Sequence, residues 1–205
     1  RTGRIKLGTE SSGGFKNITV TNCIFEHCRG LALETVDGGH LEDIEISHIT
    51  MRHIVNAGIF LRLGARMRSP EGTPAGSMKR IRISHINAYD VDSRYSSIIS
   101  GIPNGIIEDV TFDHIHLYYK GGYTKEDGKR ELPEQEKVYP EPWMFGTIPA
   151  KGFYISHAKN ISFHHINFYY EKPDGRPLFV TKDVENIHLT DIRENGENVS
   201  VTINQ

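Results

Sequence analysis

Lys16-Asn17-Ile18-Thr19-Val20-Thr21-Asn22-Cys23-Ile24-Phe25 is a pattern that returns along the whole chain. Copies run over 42–51, 79–88, 108–117 and 159–168, and a weaker one begins at Glu185. Each reads as a turn residue, then aliphatic, polar, aliphatic, polar, then Asn, His or Asp, then Cys or Ile. The inner alternation has period two, so each copy predicts a strand with one buried face. The anchors Ile18, Ile44, Ile81, Val110, Ile161 and Ile187 recur at the wide spacing that marks solenoids. No helical pattern lies between them. The expectation is an all-β chain: a right-handed parallel β-helix of about six coils, with these anchors stacked in one buried column.

A second column of short segments precedes the first, at 4–10, 30–36, 58–63, 95–102, 152–157 and 177–181. Ile5 and Leu7, Leu31 and Leu33, Ile59, Leu61 and Leu63, and Phe153 and Ile155 fall on one face. The other face carries Arg4, Lys6, Glu10, Ala32, Glu34, Phe60, Arg62, Tyr154, Ser156, Phe179 and Thr181. Charged and aromatic residues on the outside of one sheet predict the floor of a groove. The plainer alternative is an ordinary solvated face.

The chain has 205 residues and a formal net charge of −2. No overall field points to nucleic acid or a membrane, and no apolar run reaches membrane length. The whole chain, 1–205, reads as one domain, expected to be a monomer. Arg1 leads almost at once into a strand, so the first coils are expected to lie upstream, in a longer protein. After Asn195-Gly196, Val199-Ser-Val-Thr-Ile203 is expected to close the last coil.

His48, His85, His114 and His165 occupy the same slot as Asn22 and Asp191. That slot predicts a structural ladder at a bend, with no metal. Asn17, Asp43, Asp109, Asn160 and Asn186 form a similar column before the strand. The remaining histidines show no ligand spacing. No cofactor is expected. Cys23 and Cys28 read as free thiols rather than a disulfide.

Three stretches break the rhythm. One, 64–76, carries Arg66 and Arg68. Another, Asp92-Ser93-Arg94-Tyr95, leads into a groove strand. The longest is an insertion at 120–150. Its early part, 124–137, is charged and expected to be mobile. Its later part holds Tyr139, Trp143 and Phe145, anchors enough to dock. Trp143 offers a flat apolar platform for a sugar face or a pin for the loop.

Gly8-Thr-Glu-Ser-Ser-Gly-Gly-Phe-Lys-Asn-Ile-Thr-Val-Thr-Asn-Cys23, with Arg29-Gly30-Leu31 and Leu41-Glu-Asp-Ile-Glu-Ile-Ser-His-Ile-Thr-Met51, resembles glycoside hydrolase family 28. The resemblance covers about the first hundred residues well and the later coils by pattern only. It implies inverting hydrolysis of galacturonic acid linkages by a polygalacturonase- or rhamnogalacturonase-like enzyme. It also implies an acidic plant polysaccharide or oligosaccharide as partner, and a secreted or periplasmic location. The departures are specific. The paired catalytic aspartates would precede Arg1. The Gly-His-Gly element falls at Thr2-Gly3-Arg4, without its His. The family's Arg-X-Lys pair falls at Ala32-Leu33-Glu34, whereas Arg4-Ile5-Lys6 supplies such a pair one coil earlier; with the alignment moved by one coil, Arg4 and Lys6 are the family pair itself.

An inverting glycosidase needs one carboxyl to protonate the leaving oxygen and another to activate water. Glu10, Glu34 and Asp37 are the candidate catalytic acids beside the basic cluster, although plain pairing with the arginines explains them too. Arg4, Lys6, Arg62, Arg66 and Arg94, with Tyr95 and Trp143, are the candidate substrate-binding residues, since guanidinium groups grip carboxylates. A polysaccharide lyase with an Arg or Lys base, or a non-catalytic carbohydrate-binding β-helix, fits the same residues.

Overall fold

The computed structural model describes residues 3–10, 12–201 and 203; Thr2, of the Thr2-Gly3-Arg4 place, and Thr202, of the closing segment, lie outside them. Eleven strands account for most of the described residues. Five are short or of moderate length: β1 (Ile5–Leu7), β3 (Leu31–Thr35), β5 (Ile59–Leu63), β7 (Ser97–Ser100) and β11 (Glu197–Asn198). Four are long: β2 (Phe15–Glu26), β4 (His40–Ile54), β6 (Ser77–Val91) and β8 (Ile107–Tyr119). The last two, β9 (Phe153–Tyr170) and β10 (Phe179–Glu194), run through both columns.

The strand order is β1-β3-β5-β7-β9-β8-β6-β4-β2, with β10 on β9 and β11 on β10. All pairs are parallel except β10 with β11. The columns meet in β9, whose first residues pair with β7 and whose remainder pairs with β8. The sheet therefore turns back on itself, and both columns face one core. Ile18, Ile44, Ile81, Val110, Ile161 and Ile187 are successive partners in one row, as the repeat predicts.

The core follows the alternation. Leu33 and Leu61 from the short column meet Ile46, Ile83, Phe112 and Phe163 from the long one, all fully buried. Burying one such side chain stabilises by about 1.5–3 kcal/mol. Val199, Val201 and Ile203 pack on the last repeat, although they form no regular strand.

The Asn/His/Asp slot has a backbone cause. Asn22, His48, His85, His114, His165 and Asp191 all have φ between 51 and 57°, as do Asn17, Asp43, Arg80, Asp109, Asn160 and Asn186 between 55 and 58°. The paired register skips both sets, so each is a corner where the chain turns. Left-handed backbone costs ordinary residues roughly 1–2 kcal/mol, and Asn, Asp and His tolerate it best. Stacking adds to this. The His48–His85, His85–His114 and His114–His165 rings lie 4.7, 5.1 and 4.4 Å apart. Cys23 and Cys28 are free thiols, and burial pushes that of Cys28 up.

Candidate functional site

The outer face of the short column is the expected groove floor. Parallel pairing sets its rows: Lys6, Ala32, Phe60, Ile98, Tyr154 and Val180 in one, and Glu34, Arg62, Ser100, Ser156 and Lys182 in the next. Phe179 and Thr181, expected on this face, stand at the alternate positions. Phe179 pairs with inward Phe153 and packs into the core, so Val180 and Lys182 are the outer residues of β10.

The insertion covers the middle of this face. Leu132, Met144, Phe145, Ile148 and Ala150 form a second apolar cluster with Ala32, Phe60, Ile98 and Tyr154. Arg62, expected to grip substrate, lies fully buried beneath it. Its guanidinium donates to Ser100 Oγ at 2.6 Å, Gly101 O at 3.0 Å, Glu134 O at 2.8 Å and Gln135 O at 3.1 Å. Burial pushes Arg62 down to about 10, against the pull of Glu134 and Glu136. The end of the 124–137 stretch docks here through 134–136, whose carbonyls accept from Arg62 and the Ala65 N–H. Glu134 reaches His157 Nε2 at 2.9 Å and accepts a hydrogen bond from Lys182. Arg62 is therefore a fastener for the insertion, a job its place on the strand does not reveal.

One end of the face stays open. There a cleft of about 580 Å³ is lined by Arg4, Lys6, Gly8, Thr9, Glu10, Arg29, Tyr139 and Glu141. Strand β1 carries Lys6 outward, and Arg4 sits just before it. Glu34, one rung on, is fully buried under them. The Lys6 ammonium is 2.7 Å from Glu34 Oε2 and 3.7 Å from Glu141 Oε1. Arg4 holds both Glu141 oxygens and comes within 3.9 Å of Glu34 Oε1. Asn56 donates to Glu141 Oε2 at 3.1 Å, and Thr9 to Glu34 Oε2 at 2.9 Å.

Burial raises the Glu34 carboxyl above the usual carboxylate range, outweighing Lys6, Thr9 and Arg4. Its Oε1 is buried without a hydrogen-bond partner. Gly8 makes this packing possible. A Cβ there would lie 2.6 Å from the Glu34 carbonyl oxygen, and its φ is +118°. The Tyr139 ring, 45% exposed, lies 5.2 Å from the Lys6 ammonium and 5.8 Å from the Arg66 guanidinium.

A second cleft of about 300 Å³ adjoins the first through Glu10 and is lined also by Ser12, Asp37, Arg68 and Ser69. Asp37 is buried and bidentate with Arg66, and it accepts the Arg68 N–H at 3.0 Å. Burial opposes the charge on Asp37, but Arg66 and the Arg68 N–H prevail and hold its carboxyl below the usual range. Glu10 is the open member of the expected acids, 70% exposed and 3.0 Å from Arg68.

The expected site thus divides. Arg4, Lys6, Glu10, Glu34, Asp37 and Arg66 come together. Arg94 is exposed and stacks on Tyr95, and the Arg94 carbonyl accepts the Ile148 N–H of the insertion; neither lines these clefts. Trp143 is 55% exposed in a short 3-10 turn (Pro142–Phe145) and lines neither cleft. The aromatic platform at the open end is Tyr139. Thr9, Arg29, Asn56, Tyr139 and Glu141 were not foreseen as site residues. The Tyr139-Pro140-Glu141-Pro142 run was the available signal, since prolines fix a loop for docking.

In-register stacking also assembles histidine groups that linear spacing did not suggest. Glu26, His27 and His53 form one, and Asp113, His114 and His165 the other, with potential ligand atoms within 4.8 Å of one another. Asp113 Oδ1 already lies 2.7 Å from His114 Nδ1 and 3.0 Å from His165 Nδ1. All six residues are at least partly exposed.

Comparison of the chain with protein-family models, with curated proteins and with solved structures finds no match. The functional reading rests on the residues and their geometry.

Proposed function

We propose that the chain is a right-handed parallel β-helix of about six coils and belongs to a glycoside hydrolase acting on galacturonic acid-containing polysaccharide. The cleft carries this reading: Arg4, Lys6 and Arg29 border one open space with the exposed Tyr139 ring. Cations suit the carboxylates of an acidic sugar, and an aromatic face suits its C–H surface. The resemblance of the first hundred residues points the same way.

The roles divide by access. A group that transfers a proton must reach the glycosidic oxygen or the attacking water. Glu34 has no exposed surface, and Asp37 is closed over by Arg66. In this reading both hold cations in place, and Glu10, at the junction of the two clefts, is the acid of this group that meets substrate. Hydrolysis with inversion needs a second carboxyl across the scissile bond, about 6.5–9.5 Å away. The resemblance assigns the family's paired aspartates to a position before Arg1.

The test is incubation with polygalacturonate and with rhamnogalacturonan, following new reducing ends and the anomer first released. Inverted product, lost in Glu10→Gln with binding retained, supports the reading. An unsaturated product absorbing in the ultraviolet would assign a lyase instead. Binding without turnover by the full-length protein would assign a carbohydrate-binding module.

A further inference from the structure

We propose that Arg29 is the residue that reads the sugar carboxylate in this cleft, the role expected of Arg4, Lys6 and Arg62; the proposal rests on the uronate reading of the site. The expected cations are already engaged. Arg62 is buried and bonded to Ser100, Gly101 and the insertion backbone. Arg4 and Lys6 both face the carboxyls of Glu34 and Glu141. A ligand carboxylate binding Arg4 would have to displace Glu141, which Asn56 also holds. Arg29 lines the same cleft, is exposed, and has no ion-pair partner among the described residues. It is the surplus cation of the pocket.

Its place is set by the fold rather than by its side chain. Cys28 before it is buried, and the Arg29 N–H donates to Gly3 O at 3.2 Å. Gly30 after it has φ +79°, and a Cβ there would lie 2.0 Å from the Ala57 carbonyl oxygen. The backbone is thus pinned on both sides while the guanidinium faces open space. A planar fork with two parallel N–H donors matches a carboxylate, and an ammonium does not reproduce it. The Tyr139 ring and Thr9 border the remainder of the space.

The test is calorimetric titration of wild type, Arg29→Ala and Arg29→Lys with trigalacturonate and with the same trisaccharide reduced at its carboxyls. Arg29 is exposed, so all three proteins are expected to share one melting temperature. The expected result is trigalacturonate affinity about tenfold or more weaker in Arg29→Ala, partly recovered in Arg29→Lys, and unchanged affinity for the neutral analogue. Equal affinity of wild type and Arg29→Ala for trigalacturonate would overturn the proposal while leaving the uronate reading intact. Equal loss for both ligands would also overturn it, by making Arg29 a general sugar contact. Wild type that binds neither ligand would remove the uronate reading, and this inference with it.

Discussion

Arg4 and Lys6 stand on the same outer face as Arg62, within a few rungs, yet they have opposite fates. The first two border an open cleft; the third is sealed beneath the insertion. Rungs of a parallel sheet are only about 4.8 Å apart. What separates them is the line along which 120–150 docks. The apolar row Phe60, Ile98 and Tyr154 draws the insertion down over the middle, and Arg62 then satisfies carbonyls that docking would otherwise bury unpaired. At the open end the row finishes in Lys6, a charged side chain that offers little apolar area. One strand face thus makes a core in one stretch and a binding surface in another.

The sharpest way to break this comparison is Arg62→Ala. Removing a buried guanidinium that serves several acceptors is expected to cost about 3 kcal/mol or more in denaturant unfolding. It should also expose 124–137 to protease. A neutral result with an intact insertion would mean that apolar docking alone holds the loop.

The corners test the locally determined part of the molecule. His85→Val is expected to cost about 1–2 kcal/mol, because a β-branched residue resists φ +52°, whereas His85→Asn should cost well under about 1 kcal/mol. Equal costs for the two would show that ring stacking, not backbone conformation, selects the residue.

At the cleft, Tyr139→Ala is expected to weaken oligosaccharide binding by about 1 kcal/mol, roughly fivefold, and Trp143→Ala to leave it unchanged. Titration of both variants checks which aromatic residue serves the site. A loss confined to Trp143→Ala would reverse the assignment.

Two glutamates sharpen the comparison through pH. Burial raises the Glu34 carboxyl, so its contribution to stability is full below the ordinary value of about 4.3 and is lost as pH rises through the folded value. The stability of wild type relative to Glu34→Gln should therefore fall as pH rises. Glu42, on β4, has the opposite sign: Ser77 donates to it and Lys16 and Arg80 pair with it, which lowers it to about 2. Its contribution is present above about 4.3 and disappears as pH falls towards 2. Relative to Glu42→Gln, wild type should lose stability on acidification. Urea midpoints across the acid and neutral range distinguish the two signs.

Much of the fold was legible because it is periodic. The anchors from Ile18 to Ile187 announce both the strand and its stacking partner. The corner slot was legible in position, and its cause, left-handed backbone, emerged only with the dihedral angles. The cleft was legible in part. Arg4, Lys6, Glu10, Glu34, Asp37 and Arg66 were found by alternation and proximity to the bends. Glu141 and Tyr139 were missed as site residues because they arrive from a loop more than 130 positions away from Arg4 and Lys6. Phe179 was assigned the wrong face because a strand start cannot be fixed to one residue from pattern alone, and one step reverses every side chain.

By itself the sequence determined the strands, their inward column and the residues suited to the corners, since these follow from local conformation and a repeated period. Only the tertiary structure decided which outer residues meet solvent. That choice depends on where an aperiodic insertion finds apolar surface, a contact between segments far apart in the chain with no local signature. The same arginine-bearing face becomes fastener or site according to whether that contact covers it.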